Sequence, residues 1–126
     1  MRKTPQAFGH DRVSTSELAA YVEQHVKDTE SVLLERMEQL AAILKSKPTN
    51  AKTAQVILAL ASLKANLKLV DLLRERAEDL SSMWKAYRWW QRWANEIETR
   101  DTLKLFLEQS HKVRAKCEEL KKAFIS

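Results

Sequence analysis

The stretch from Asn50 to Glu98 contains neither glycine nor proline and is dominated by Ala, Leu, Lys, Arg, Glu and Gln. Sheets need frequent turns, and this stretch has no glycine or proline to make them, so it reads as helix throughout. One apolar stripe runs Val56, Leu60, Leu63, Leu67 and Val70, and a second runs Leu58, Ser62, Ala65, Leu69 and Leu72. The stripes are offset by two residues, about 200° on a helix, and so lie on opposite sides. A helix that is apolar on both sides belongs in the middle of a bundle or in a subunit interface.

The remaining composition agrees. A single glycine, a single cysteine, two prolines and 31% charged residues describe an all-α protein. The expected architecture is an elongated all-α bundle of three or four helices with coiled-coil-like packing and a helix-turn-helix hairpin at 45–50. Residues 1–13 hold Pro5, Gly9 and the cations Arg2, Lys3 and Arg12 without periodicity, and read as a flexible basic arm; 14–126 read as one helical domain.

The boundaries follow from caps. Ser14 with Glu17 spells a capping box, flanked by Val13 and Leu18 in staple positions. The helix that follows, about 15–45, buries Leu18, Val22, Val26, Thr29, Leu33, Met37, Leu40 and Leu44. Pro48 breaks the chain in Lys45-Ser-Lys-Pro-Thr-Asn50, and Thr49 or Asn50 caps the next helix. That second helix is expected to reach about residue 98, with a candidate break near 80–82. Unbroken, it would be about 70 Å long against about 45 Å for the first helix, so it either breaks or finds further cover. Thr99 and Asp101 suit the start of a last helix, about 100–124, whose heptad is Leu103, Phe106, Ser110, Val113, Cys117, Leu120 and Phe124.

Several function classes fall away at this stage. The longest apolar run is far short of the roughly 20 residues a membrane-spanning helix requires, and no apolar segment follows the basic N-terminus as in a secretory signal. The cytoplasm is the expected location. Cys117 alone cannot build a disulfide framework or a multi-thiolate metal site. Glu108-Gln-Ser-His111 has the Glu-x-x-His spacing of di-iron bundles, but such sites need a second copy and two more Glu. Neither a metal nor another cofactor is expected, and no nucleophile with its base can be assembled, so the chain does not read as an enzyme.

The most unusual segment is aromatic. Trp84, Tyr87, Trp89, Trp90 and Trp93 alternate with Lys85, Arg88 and Arg92, and no acid lies between Leu80 and Asn95. Continuing the core phase of an unbroken helix turns Met83, Tyr87, Trp90, Ala94 and Ile97 inward and leaves Trp89 and Trp93 on a flank. Trp beside Arg is the composition of interface hot spots, and also of surfaces that stack bases beside phosphate-binding cations; it also suits plain packing at the end of a bundle. The leading expectation is a helical protein-protein interaction module, an adaptor, inhibitor or assembly subunit, that engages a protein partner through Trp89, Trp93, Arg88, Arg92 and Lys85. The alternative is a nucleic-acid-binding protein with phosphate contacts from Arg2, Lys3, Arg12, Lys45, Lys47, Lys52, Arg114 and Lys116, in keeping with a formal charge of +5. The second stripe from Leu58 to Leu72 needs a cover, which the last helix supplies only if the chain folds back at Ser81-Ser82, and a homodimer is the expected one.

Overall fold

The computed structural model describes residues 13–125. They form three helices, α1 (Thr15–Lys45), α2 (Asn50–Ala86) and α3 (Trp89–Phe124), packed as an all-helical bundle. Of the expected N-terminal arm, all but Val13 lies outside the described residues.

α1 starts as its sequence dictates. The Ser14 hydroxyl accepts from the Glu17 N–H at 3.1 Å, and the Glu17 carboxylate accepts from the Ser14 N–H at 2.9 Å. These bonds hold the Glu17 carboxyl below its usual pKa. Val13 packs on the core from the N′ position. At the other end Lys47 takes the left-handed conformation, φ 54°, and donates its N–H to the Leu44 carbonyl at 3.2 Å. Pro48 disfavours the right-handed helical region for the residue before it and so ends α1, and the left-handed Lys47 closes the last turn through its bond to Leu44. Thr49 then caps α2 by accepting from the Lys52 N–H at 3.2 Å.

The core is one apolar column. Leu18, Val22, Val26, Leu33 and Leu40 of α1 meet Val56, Leu63, Val70 and Ala77 of α2 and Leu103, Leu107, Val113 and Cys117 of α3. The α3 heptad falls inward as expected, with Phe106, Leu120 and Phe124 half-buried around it. Arg36, rather than another apolar side chain, fills the α1 layer between Leu33 and Leu40. Its Nε donates to the Cys117 carbonyl at 2.9 Å, it also donates to Gln39, and it pairs with the Glu118 carboxylate at 3.6 Å.

The boundary between the second and third helices differs from the expectation. α2 stops at Ala86, not near 80–82 or at 98, and α3 begins at Trp89 rather than near 100. The reversal needs only Tyr87 and Arg88, both extended. It lacks proline, glycine and a side-chain oxygen at the N-cap, so it carries none of the usual signals. Two side chains beyond the corner close it through three contacts. Gln91 Oε1 accepts from the Arg88 N–H at 2.8 Å, Arg92 Nε donates to the Trp84 carbonyl at 3.1 Å, and the Arg92 guanidinium stacks over the Trp84 ring at 5.2 Å. Trp84 is the last buried residue of α2 and Thr99 the first of α3. None of the fourteen positions between them is buried, and the reversal returns 99–117 to the core.

Two reversals place α1 and α3 parallel. The pairs Thr15–Glu96, Thr29–Ser110 and Arg36–Cys117 are each 81 residues apart, so the two helices run alongside each other in one fixed register. α3 leans more on α1 than on α2.

Candidate interaction surface

The corner between α2 and α3 sorts the aromatic segment into one buried ring and several open ones. Trp84 is 7% exposed and packs its ring edge against Tyr87 at 6.1 Å. Trp89 and Trp93 are 77% and 81% exposed, as their flank position suggested. Trp90, Ala94 and Ile97 were expected to face inward but lie open, and Met83 is half open. The inward phase was extrapolated along an unbroken helix, and the reversal at Tyr87 and Arg88 resets it.

The cations of the segment divide as well. Lys85 and Arg88 are exposed, and the Arg88 guanidinium lies 5.6 Å over the Trp90 ring. Such stacking holds the charge beside the indole and lets both reach one partner. Arg92 is half-buried and committed to Trp84, so its first role is to hold the corner. The result is a tip bearing three open indoles, with Ile97 77% exposed beyond them and Arg88 and Lys85 alongside. A buried indole removes roughly 150–250 Å² from water. Three of them form a patch of several hundred Å², a size that marks interaction sites on soluble proteins.

The other cationic candidates lie elsewhere. Lys45, Lys47 and Lys52 are exposed around the α1–α2 link. Arg114 and Lys116 are half-buried in the part of α3 that runs beside the end of α1, so they belong to the same half of the bundle. Trp89 and Lys116 are separated along α3 by about 40 Å at 1.5 Å per residue. Arg2, Lys3 and Arg12 lie outside the described residues.

A polar seam between α1 and α3 was not foreseen. Thr29 and Ser110, both fully buried, place their hydroxyls 2.7 Å apart, and Ser110 Oγ lies 2.8 Å from His25 Nδ1. The His111 ring meets His25 edge-on at 4.3 Å. Burial lowers the His25 pKa from 6.5, helped by His111 and Arg114 and opposed by Asp28. The sequence signal was two hydroxyl residues at apolar-stripe positions of two different helices. Their pairing required the register. Ser110 is fully enclosed, so the Ser–His contact is not an accessible nucleophile with its base. Burial likewise raises the Cys117 thiol above its ordinary pKa despite Arg36 and Arg114 nearby. Among the described residues, no three His, Cys, Asp or Glu side chains converge as a metal site would require.

The second stripe of α2 is only partly covered. Ser62 and Leu69 are half-buried, while Leu58 is 71% exposed and Ala65 and Leu72 are open; Ile57 and Leu34 add exposed aliphatic surface. Among the described residues no helix is long and apolar enough to cross a membrane.

These features define a three-helix bundle with an aromatic, cationic tip and an aliphatic flank. No family model matches the chain, and no similar protein was found among curated sequences or solved structures.

Proposed function

We propose that this chain is a non-enzymatic protein-interaction module, an adaptor, inhibitor or assembly subunit, that engages a protein partner through Trp89 and Trp93 with Arg88 and Lys85. One observation carries the reading: indoles that could have been buried stand open on a rigid helix beside exposed cations. Leaving several hundred Å² of aromatic surface in water is unfavourable by about 25 cal/mol per Å², and binding recovers that loss. The bundle ahead of the tip is well packed, so the surface is preorganised, which lowers the entropy lost on association.

The test is a pull-down with the wild-type chain and the double variant Trp89→Ala/Trp93→Ala, alongside circular dichroism and thermal melting. Loss of the captured partner with unchanged helicity and melting temperature supports the reading. Retained capture by the double variant removes it.

The nucleic-acid alternative draws less support, because its described cations, Lys45, Lys47, Lys52, Arg114 and Lys116, lie in the half of the bundle away from the open indoles, so base stacking and phosphate contacts would not share one surface. Tryptophan fluorescence titrated with single-stranded and duplex DNA tests it. Saturating quenching that survives physiological salt would put it first. A homodimer and a cytoplasmic location belong to the same proposal. The first is supported by the open strip of Ile57, Leu58, Ala65 and Leu72, the second by a lone, buried, free thiol. Light scattering that shows a monomer at high micromolar concentration would remove the dimer.

A further inference from the structure

The tip has a register as well as a composition. Heptad steps back along α3 from Cys117 pass Ser110 and Leu103, all three fully buried, then Glu96, and arrive at Trp89. Trp89 therefore stands on the side of the helix that faces α1, yet it is among the most exposed residues of the chain. The cause is length. α1 is capped at Ser14, and Thr15 meets α3 at Glu96 through a 3.5 Å contact. α3 continues seven residues further, about 10 Å at 1.5 Å per residue.

The row Trp89, Trp93, Glu96, Arg100 has steps of four, three and four, which is one face of one helix. Its lower half already holds the start of α1: Arg100 Nη1 donates to the Val13 carbonyl at 2.8 Å and to the Thr15 hydroxyl at 3.2 Å. Its upper half is the Trp89/Trp93 pair. The surface open at the tip is thus the continuation of the surface that receives α1.

We infer that the Trp89/Trp93 face receives an acidic amphipathic helix of a partner protein, seated in line with α1. The inference rests on the partner-binding reading above and adds the partner's chemistry. Two observations select it. The face continues one that packs a helix with apolar residues at three- and four-residue steps, so the occupant that fits carries that spacing. Charge selects the sign: no carboxylate lies between Leu80 and Asn95, Lys85 and Arg88 stand exposed at the corner, and Glu96, the one carboxylate of the row, already meets the Thr15 hydroxyl at 3.5 Å. α1 itself has this chemistry, with six carboxylates against two cations from Ser14 to Leu44, a net −4. A second copy of the tip would bring like charges together. Residues 1–12, with three cations against one carboxylate, match the tip in sign and do not oppose it.

The experiment uses dye-labelled synthetic peptides and the full chain, read by fluorescence anisotropy. The probes are a helical heptad peptide of Leu, Ala and Glu, its Lys-for-Glu counterpart, and a scrambled acidic peptide. Binding of the acidic helix only, weakened by salt and reduced at least tenfold by Trp89→Ala/Trp93→Ala, is the expected result. Lys85→Glu/Arg88→Glu should then transfer the preference to the lysine peptide without moving the melting temperature. Equal binding of both helices, or acidic binding untouched by the tryptophan substitutions, overturns the inference. So does tighter binding to anionic phospholipid vesicles or to an oligonucleotide. Tryptophan emission of the free full chain that resists acrylamide quenching would also overturn it, since the face would then be covered already. If no probe binds while the pull-down still depends on Trp89 and Trp93, the acidic-helix inference falls and the partner-binding reading stands. If the pull-down is also independent of both residues, both fall.

Discussion

The Thr29–Ser110–His25 seam makes a quantitative prediction about how α1 and α3 hold their register. Ser110→Ala removes the central hydroxyl, which lies 2.7 Å from Thr29 Oγ1 and 2.8 Å from His25 Nδ1. The Thr29 hydroxyl, fully buried, is then left with a 3.5 Å approach to His25. That is the outer limit of a hydrogen bond. A buried hydroxyl deprived of its partner is destabilising by about 1–3 kcal/mol, and the expected loss for Ser110→Ala is about 2 kcal/mol. Thr29→Val keeps the shape of the side chain and leaves Ser110 its bond to His25, so its loss is expected near 1 kcal/mol. The double variant removes the stranded hydroxyl along with its former partner. Its loss should therefore fall short of the sum of the two single losses by about 1 kcal/mol. Urea unfolding followed by far-UV circular dichroism measures all three variants against wild type, with unchanged m-values confirming a common unfolding reaction. Losses that add to within about 0.3 kcal/mol would show that the two hydroxyls are not energetically coupled. The seam would then have no part in fixing the register.

Three further outcomes are expected. Because burial lowers the His25 pKa below 6.5 in the folded state, the unfolded chain takes up this proton first as pH falls. The contribution of the site is complete above about pH 6.5 and is lost as pH drops toward the folded pKa. Around His25 stand Tyr21, Asp28 and Thr29 on its own helix and Ser110, His111 and Arg114 on α3. The urea midpoint of His25→Gln should vary less than that of wild type between neutral and mildly acidic pH, and parallel profiles would refute the assignment. Arg36→Met should change stability by less than about 1 kcal/mol, because the stem's packing is kept and the half-open Glu118 carboxylate returns to water; Arg36→Ala should be destabilising by about 2 kcal/mol in the same urea assay. Trp84→Ala should be destabilising by about 3–5 kcal/mol, whereas Trp89→Ala and Trp93→Ala should each stay within about 0.5 kcal/mol of wild type. Thermal melts compare them directly, and equal losses would place the open indoles in the core.

Local chemistry was sufficient for much of this fold. The Ser14–Glu17 box, the break at Pro48 and the heptad from Leu103 to Phe124 are written in neighbouring residues, because caps, φ restriction and helical periodicity act over a few positions. Trp89 and Trp93 are exposed as expected but for a different reason: Trp89 lies in the core register of α3 and is open because α1 begins only at Thr15. The second reversal was not legible. Tyr87 and Arg88 have no breaker chemistry, and the Gln91 and Arg92 bonds that close the corner exist only once the chain has turned. The open state of Trp90 and Ile97 follows from that same reversal, since a phase carried across a corner loses its meaning. Buried Arg36 and the His25 seam also belong to the tertiary structure. Each partner lies 81 or more residues away on a parallel helix, and a sequence displays periodicity along one helix but not the alignment between two. That alignment also decides the surface at the tip: where α1 ends relative to α3 leaves a core-register tryptophan facing water.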